Sequence, residues 1–190
     1  KGKVCHSETG TTQGGVISPL LANIYLHEVM DVWFEREIRP VLGGQSFLTR
    51  YADDFVLVLE RGKDARRVME VLPKRFGKFG LKLHPDKTRV VRFIHPSPRQ
   101  EGGMHVRPTS ESFDLLDFTH YWGKSWKGCW VIKRRTAKSR FTRAVKGVHA
   151  WCWTPRHLPL VVQHTMLVRK LRGHFNSYGI TGNYEALARF

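Results

Sequence analysis

The sequence predicts an α+β fold with an antiparallel sheet, followed by a mainly α-helical, strongly basic region. Three observations carry that reading. After Ser18-Pro19, apolar residues recur at helical spacing as Leu21, Ile24, Tyr25, Val29, Val32 and Trp33. Two β-prone runs, Phe47 to Arg50 and Phe55 to Leu59, flank a short polar break. From Thr136 onward the spacing is helical again and the charge becomes one-sided.

The elements follow in order. Ser18 is suited to cap the first helix and Pro19 to open it, because proline lacks an amide that the first turn would leave unused anyway. That helix should run to about Ile38, just before Pro40, with Gly43-Gly44 as the next turn. A β-hairpin is expected over about Phe47 to Leu59. A second helix begins near Lys63 with Ala65, Val68 and Leu72 inward, and Phe76 and Phe79 continue its apolar face to Gly80. Pro73 should kink or break it, since proline removes a backbone donor. Leu81 to Leu83 and Arg89 to Ile94 alternate as strands would, around a His84-Pro85-Asp86-Lys87 turn. Residues 95–111 hold three prolines and Gly102-Gly103, which reads as an exposed loop and a domain boundary. The expected domains are therefore 1–112 and 113–190. Phe113 to Tyr121 and Cys129 to Lys133 read as a second hairpin across Gly123-Lys124, and helices are expected at roughly 136–152, 159–177 and 183–190.

Composition narrows the function classes. A chain of 190 residues, 41% hydrophobic, can bury a core and is not a disordered tail. It has no apolar run of membrane-spanning length and no signal-peptide pattern. It starts at Lys1 and stops within a helical pattern at Phe190, as an internal piece of a longer polypeptide would. Cys5, Cys129 and Cys152 are too far apart for a Cys-x-x-Cys pair, which fits a reducing cytoplasm. His149, Cys152 and His157 can be drawn as metal ligands, but packing is the plainer reading. Net charge is +16, unevenly placed: residues 1–60 hold 5 basic and 8 acidic side chains, residues 61–190 hold 27 and 8. From Phe118 to Phe190 there are 14 basic residues and one acid, Glu185. A face so one-sided repels itself unless a polyanion neutralises it, and nucleic acid is the default partner. A membrane surface is the alternative, disfavoured because the cations are not arranged in one amphipathic stripe.

The tetrad Tyr51-Ala52-Asp53-Asp54 sits at the hairpin break. Two adjacent carboxylates there are either a solvated turn or ligands for a hard cation such as Mg²⁺, which prefers oxygen donors and often bridges to substrate phosphates. Thr11 to Pro19, with Gly14-Gly15, is either a plain turn or a polar loop suited to phosphate at a helix start. Gly80 to Thr88 places Lys82 and Lys87 on a polar turn, where solvated lysines are the ordinary finding.

Together these segments resemble the reverse transcriptases encoded by bacterial group II introns. The run Gln13-Gly14-Gly15-Val16-Ile17-Ser18-Pro19-Leu20-Leu21-Ala22-Asn23-Ile24-Tyr25-Leu26 looks like that family's block before the palm helix, and Tyr51-Ala52-Asp53-Asp54 like its catalytic tetrad. Gly80 to Thr88 resembles the turn block that follows. The likeness continues through Phe118 to Lys124, Leu171 to Phe175 and Tyr178 to Asn183, which look like the maturase (thumb) region. The resemblance implies a partial palm over 1–112 and a truncated thumb over 113–190. It implies RNA-directed DNA polymerisation with two Mg²⁺ ions, held in part by Asp53 and Asp54. Template or nucleotide would lie near Gln13, Gly14, Tyr51 and Ala52, and Lys87 would serve the triphosphate. The implied partners are an RNA template with DNA primer, deoxynucleoside triphosphates and the intron's own RNA, which the maturase role helps to splice. Arg134, Arg135, Arg140 and Arg143, in the densest basic cluster, are the candidate RNA contacts. Two departures stand out. The family's first catalytic aspartate lies upstream of the Gln-Gly-Gly block, and the twelve residues before Gln13 contain no Asp. Asp117 also stands where the family usually has glycine, in a turn that supports the primer; a carboxylate there would repel phosphate, and a positive φ would strain it. The rival readings are a non-catalytic RNA-binding module and a decayed remnant.

Overall fold

The helical run after Ser18 reaches Ile38, as its periodicity predicts, but it is less regular than an α-helix. In the computed structural model, which describes residues 16–96 and 110–190, α1 spans Ser18–Leu26. It passes into wider π-helical turns at His27–Val32 and Phe34–Ile38, then a 3-10 turn at Arg39–Val41. Ile17 occupies the cap position and Ser18 is already helical, so the expected Ser18 cap is corrected by one residue, with Pro19 still in the first turn. Strands β1 (Ser46–Tyr51) and β2 (Asp54–Leu59) pair antiparallel as the hairpin, and α2 follows over Gly62–Lys78.

Pro73 does not break α2; the helix runs through it. Its missing N–H falls on the exposed face, while Val68, Leu72 and Phe76 form a buried stripe on the other. Burying each such side chain is worth about 1.5–3 kcal/mol, which offsets a penalty of about 3 kcal/mol for an interior proline. Met30 and Trp33 meet Leu72 and Phe76, with Leu48, Phe55 and Leu57 from the hairpin packed against them. Arg75 closes one gap in the widened helix: its Nε donates to the Val29 carbonyl at 3.1 Å, and its guanidinium lies over the Trp33 and Phe79 rings.

The strands expected at Leu81–Leu83 and Arg89–Ile94 do not form. Leu81 and Leu83 still pack on the core, but among the described residues no strand pairs with either segment. Alternation gives a segment an apolar side; only a partner's amides and carbonyls make it a strand. The turn between them is real, with Lys87 and Thr88 amides donating to the His84 carbonyl.

The chain separates into two units, Lys1–Val90 and Val91–Phe190. Phe93 belongs with the second, where it stacks 5.5 Å from Trp122. That unit carries a three-stranded antiparallel sheet, β3 (Phe113–Leu115), β4 (Phe118–Lys124) and β5 (Trp130–Thr136), in the order β3-β4-β5. The expected two-strand hairpin is thus corrected in two places. The Phe113-to-Tyr121 run breaks at Leu116-Asp117, where both residues have positive φ (48° and 69°). Gly123-Lys124 is strand instead of turn, and Gly123 lies so close to Lys133 that a Cβ would come within 2.8 Å of its side chain. Helices α3 (Lys138–Trp153), α4 (Leu160–Tyr178) and α5 (Tyr184–Ala188) complete the unit. Asn183 ties them to the sheet: it is 1% exposed and bonds to Thr136 and to the Tyr178 carbonyl. Among the described residues no helix is long and apolar enough to cross a membrane.

Candidate active site on the hairpin tip

Register decides what the hairpin presents. Ser46 pairs with Leu59, Leu48 with Leu57, Arg50 with Phe55 and Tyr51 with Asp54. Side chains alternate across a strand, so Leu48, Arg50, Phe55 and Leu57 share the face that meets the core. Tyr51 and Asp54 share the other. The turn is therefore the two residues Ala52-Asp53. Of these only Ala52 has a positive φ, at 53°. That is the pattern of a type II′ turn, which usually takes glycine first. A Cβ in left-handed backbone costs about 1–2 kcal/mol, so something must hold the tip in place.

Arg50 does so. Its Nε and one terminal nitrogen form a fork on Asp31, at 2.8 and 2.7 Å. Its other terminal nitrogen donates to the Asn23 side-chain oxygen at 3.0 Å and to the Ala52 carbonyl at 2.9 Å. The Arg50 hydrogen bonds hold the Asp31 carboxyl below its ordinary value of 3.8; partial burial opposes the shift, and His27, 3.2 Å away, adds to it. Sequence alone gives Arg50, Asp31 and Asn23 no role. The one legible signal was parity: a charge on the inward face of a hairpin needs a partner.

Asp53 and Asp54 are exposed, and their carboxylates make no hydrogen bond or ion pair among the described residues. Their oxygens are thus open to a ligand. Among the described residues no group of three or more His, Cys, Asp or Glu side chains is placed to hold a metal ion. Two adjacent carboxylates suit a hard cation whose remaining ligands are water and substrate phosphate, and do not make an all-protein cage. Tyr51 and Ala52 flank them on the tip, both exposed. Gln13 and Gly14 lie outside the described residues. Lys87 is exposed on the turn after α2, and its side chain has no ion pair among the described residues.

The four arginines expected to meet RNA are distributed over the second unit. Arg134 and Arg135 are neighbours on β5 and so face opposite sides of the sheet; Arg135 lies 5.1 Å from the Tyr121 ring. Arg140 is ion-paired with Asp117 at 2.6 Å. Arg143 lines an open groove with Asp114, Lys138, Ser139, Thr142 and Lys146. Thr136, where the helix was expected to begin, instead ends β5, and α3 begins at Lys138. Asp117 is thus not a bare carboxylate, since Arg140 neutralises it.

The hairpin tip thus presents an exposed carboxylate pair on a strand-turn-strand, braced from a helix-packed core. The family model for reverse transcriptase (RNA-dependent DNA polymerase) matches residues 1–127, and the chain belongs to that family. By family it is an RNA-directed DNA polymerase, a nucleotidyltransferase whose substrates are nucleotides and an RNA template. No curated protein matches the chain.

Proposed function

We propose that Asp53 and Asp54 are metal-binding carboxylates of a reverse transcriptase palm, and that the parent enzyme is encoded by a group II intron and acts as its maturase. The observation that carries the site is the open pair of carboxylates on a braced two-residue turn. The intron origin rests on the run from Gln13 to Leu26, the Tyr-Ala-Asp-Asp tetrad and the Tyr178-to-Asn183 block. On this reading residues 1–112 are palm and 113–190 thumb and maturase region, working in the cytoplasm.

Asp53 and Asp54 would hold Mg²⁺, which neutralises charge on nucleotide phosphates and favours attack by a primer hydroxyl. Tyr51 and Ala52 form the floor beside them, and the small Ala52 leaves room for a nucleotide. Gln13 and Gly14 serve template or nucleotide. Lys87 supplies positive charge to the triphosphate. The basic second unit, through Arg134, Arg135, Arg143 and the α3 face, binds intron RNA. Arg140 joins it only by leaving Asp117. A second reading, RNA binding without catalysis, is favoured by one observation: no third carboxylate joins the pair among the described residues.

Two titrations test this. Mn²⁺ standing in for Mg²⁺ should bind at the tetrad and lose that site in Asp53→Asn. Structured RNA should bind with an affinity that falls steeply with salt, and replacing Arg134, Arg135 and Arg143 by Ala should flatten the slope by roughly one phosphate per arginine lost. RNA binding with no Asp53-dependent metal site would establish the second reading; an unchanged salt slope would move the RNA surface elsewhere.

A further inference from the structure

We infer that Arg50 is a positioning residue for the paired carboxylates: it fixes the Ala52–Asp53 peptide, and so sets the direction in which Asp53 and Asp54 offer their oxygens. This rests on the reading that those two carboxylates take a divalent cation.

Arginine has five N–H donors in a rigid fork. Here four contacts engage that fork: two to Asp31, one to Asn23 and one to the Ala52 carbonyl. The side chain is 12% exposed; its two bonds to Asp31 are part-buried, while those to Asn23 and the Ala52 carbonyl lie at the surface. Asn23 stands on α1 and Asp31 on the π-helical turn that follows, beside the buried Val29 and Met30. Arg50 therefore carries the rigidity of the packed helices out to the tip.

The contact with Ala52 is the informative one. The Ala52 carbonyl belongs to the central peptide of the two-residue turn. Rotating that peptide by half a turn converts a type II′ turn into type I′, which demands positive φ at Asp53 as well as Ala52. Asp53 does not have it. Arg50 holds the carbonyl that would have to swing, at 2.9 Å. With that hand removed, the strained Ala52 and a peptide free to turn leave the two carboxylates sampling more than one arrangement. A cation then binds the competent fraction alone, and its apparent affinity falls by that fraction. Lysine cannot replace arginine here, because one ammonium cannot span the carboxylate fork and the carbonyl together.

The test titrates Mn²⁺ into the whole chain and reads its arrival from paramagnetic broadening of the Asp53 and Asp54 amide resonances. Asp53→Asn should abolish the effect. Arg50→Lys should weaken Mn²⁺ affinity about tenfold, the worth of one charge-assisted hydrogen bond. Hydrogen exchange across the β1–β2 ladder should stay protected, whereas a residue that only stabilised the hairpin would lower protection and leave the affinity of the folded molecule unchanged. If Arg50→Lys unfolds the hairpin, Asn23→Ala decides: it frees one anchor of the same nitrogen that holds Ala52, and about threefold weaker binding is expected. Mn²⁺ broadening that ignores Asp53→Asn overturns the metal reading and this inference with it. Broadening that depends on Asp53 but ignores both Arg50→Lys and Asn23→Ala overturns the Arg50 role alone.

Discussion

Replacing Asn183 by alanine should cost the second unit about 3–4 kcal/mol of stability. The side chain is 1% exposed and makes three bonds of 2.8 Å: its oxygen accepts from the Thr136 amide, and its nitrogen donates to the Thr136 hydroxyl and the Tyr178 carbonyl. Each is worth about 0.5–1.5 kcal/mol net, and a buried amide left without an acceptor costs about 1–3 kcal/mol. Thr136 is itself buried at the end of β5, so water does not readily replace the lost partner. Urea unfolding followed by tryptophan fluorescence measures the loss. Trp122, Trp126, Trp130, Trp151 and Trp153 all lie in this unit, so the signal reports on it more than on Trp33. Asn183→Asp should fall between wild type and Asn183→Ala. A carboxylate still accepts from the Thr136 amide and hydroxyl, but it has no donor for the Tyr178 carbonyl. A loss below about 1 kcal/mol in Asn183→Ala would refute the reasoning, because it would mean that water or neighbouring groups satisfy the freed Thr136 amide.

Three further outcomes are expected. Leu72→Ala should destabilise the first unit by about 2–5 kcal/mol, since Leu72 is buried in the middle of its core; amide hydrogen exchange in α2 that barely changes would remove it from that role. Burial holds both His120 and His174 below the ordinary histidine value of 6.5, so the folded unit binds fewer protons than the unfolded chain. Its stability should be full above about pH 6.5 and should decline as pH falls through the depressed folded values; a urea midpoint unchanged between neutral and mildly acidic buffer would contradict this. Asp117→Gly removes a side chain from a turn at φ 69° but also breaks its pair with Arg140, which is about 40% exposed and therefore weak. The two effects should nearly cancel, to within about 1 kcal/mol by urea unfolding, and a change beyond 2 kcal/mol in either direction would show that one of them has been misjudged.

Much of the hairpin was legible from the chain alone. Two β-prone runs on either side of a short polar break placed a turn there and the tetrad at its tip. Which face is buried, Leu48 with Phe55 and Leu57 or Phe47 with Val56 and Val58, was decided by the core. The helices after Thr136 were equally plain, because their spacing runs for several turns. Pro73 was misjudged because a local rule about a missing donor cannot weigh the buried stripe of Val68, Leu72 and Phe76 on the far side of the same helix. Leu81–Leu83 and Arg89–Ile94 alternate correctly but find no strand to pair with among the described residues, and pairing is not a property of one segment. Gly123-Lys124 reads as a turn from the chain alone, but pairing with Val131 and Trp130 makes both residues strand. Local periodicity and steric preference determine elements, and these the sequence states residue by residue. Tertiary structure alone decided the partners. Arg50 reaches 19 residues back to Asp31, Asn183 reaches 47 residues back to Thr136, and Asp117 meets Arg140 across two strands and the turn between them. Hydrogen bonds and ion pairs depend on angle and on distances of a few tenths of an ångström, and no spacing in a linear chain specifies those until the core has brought its ends together.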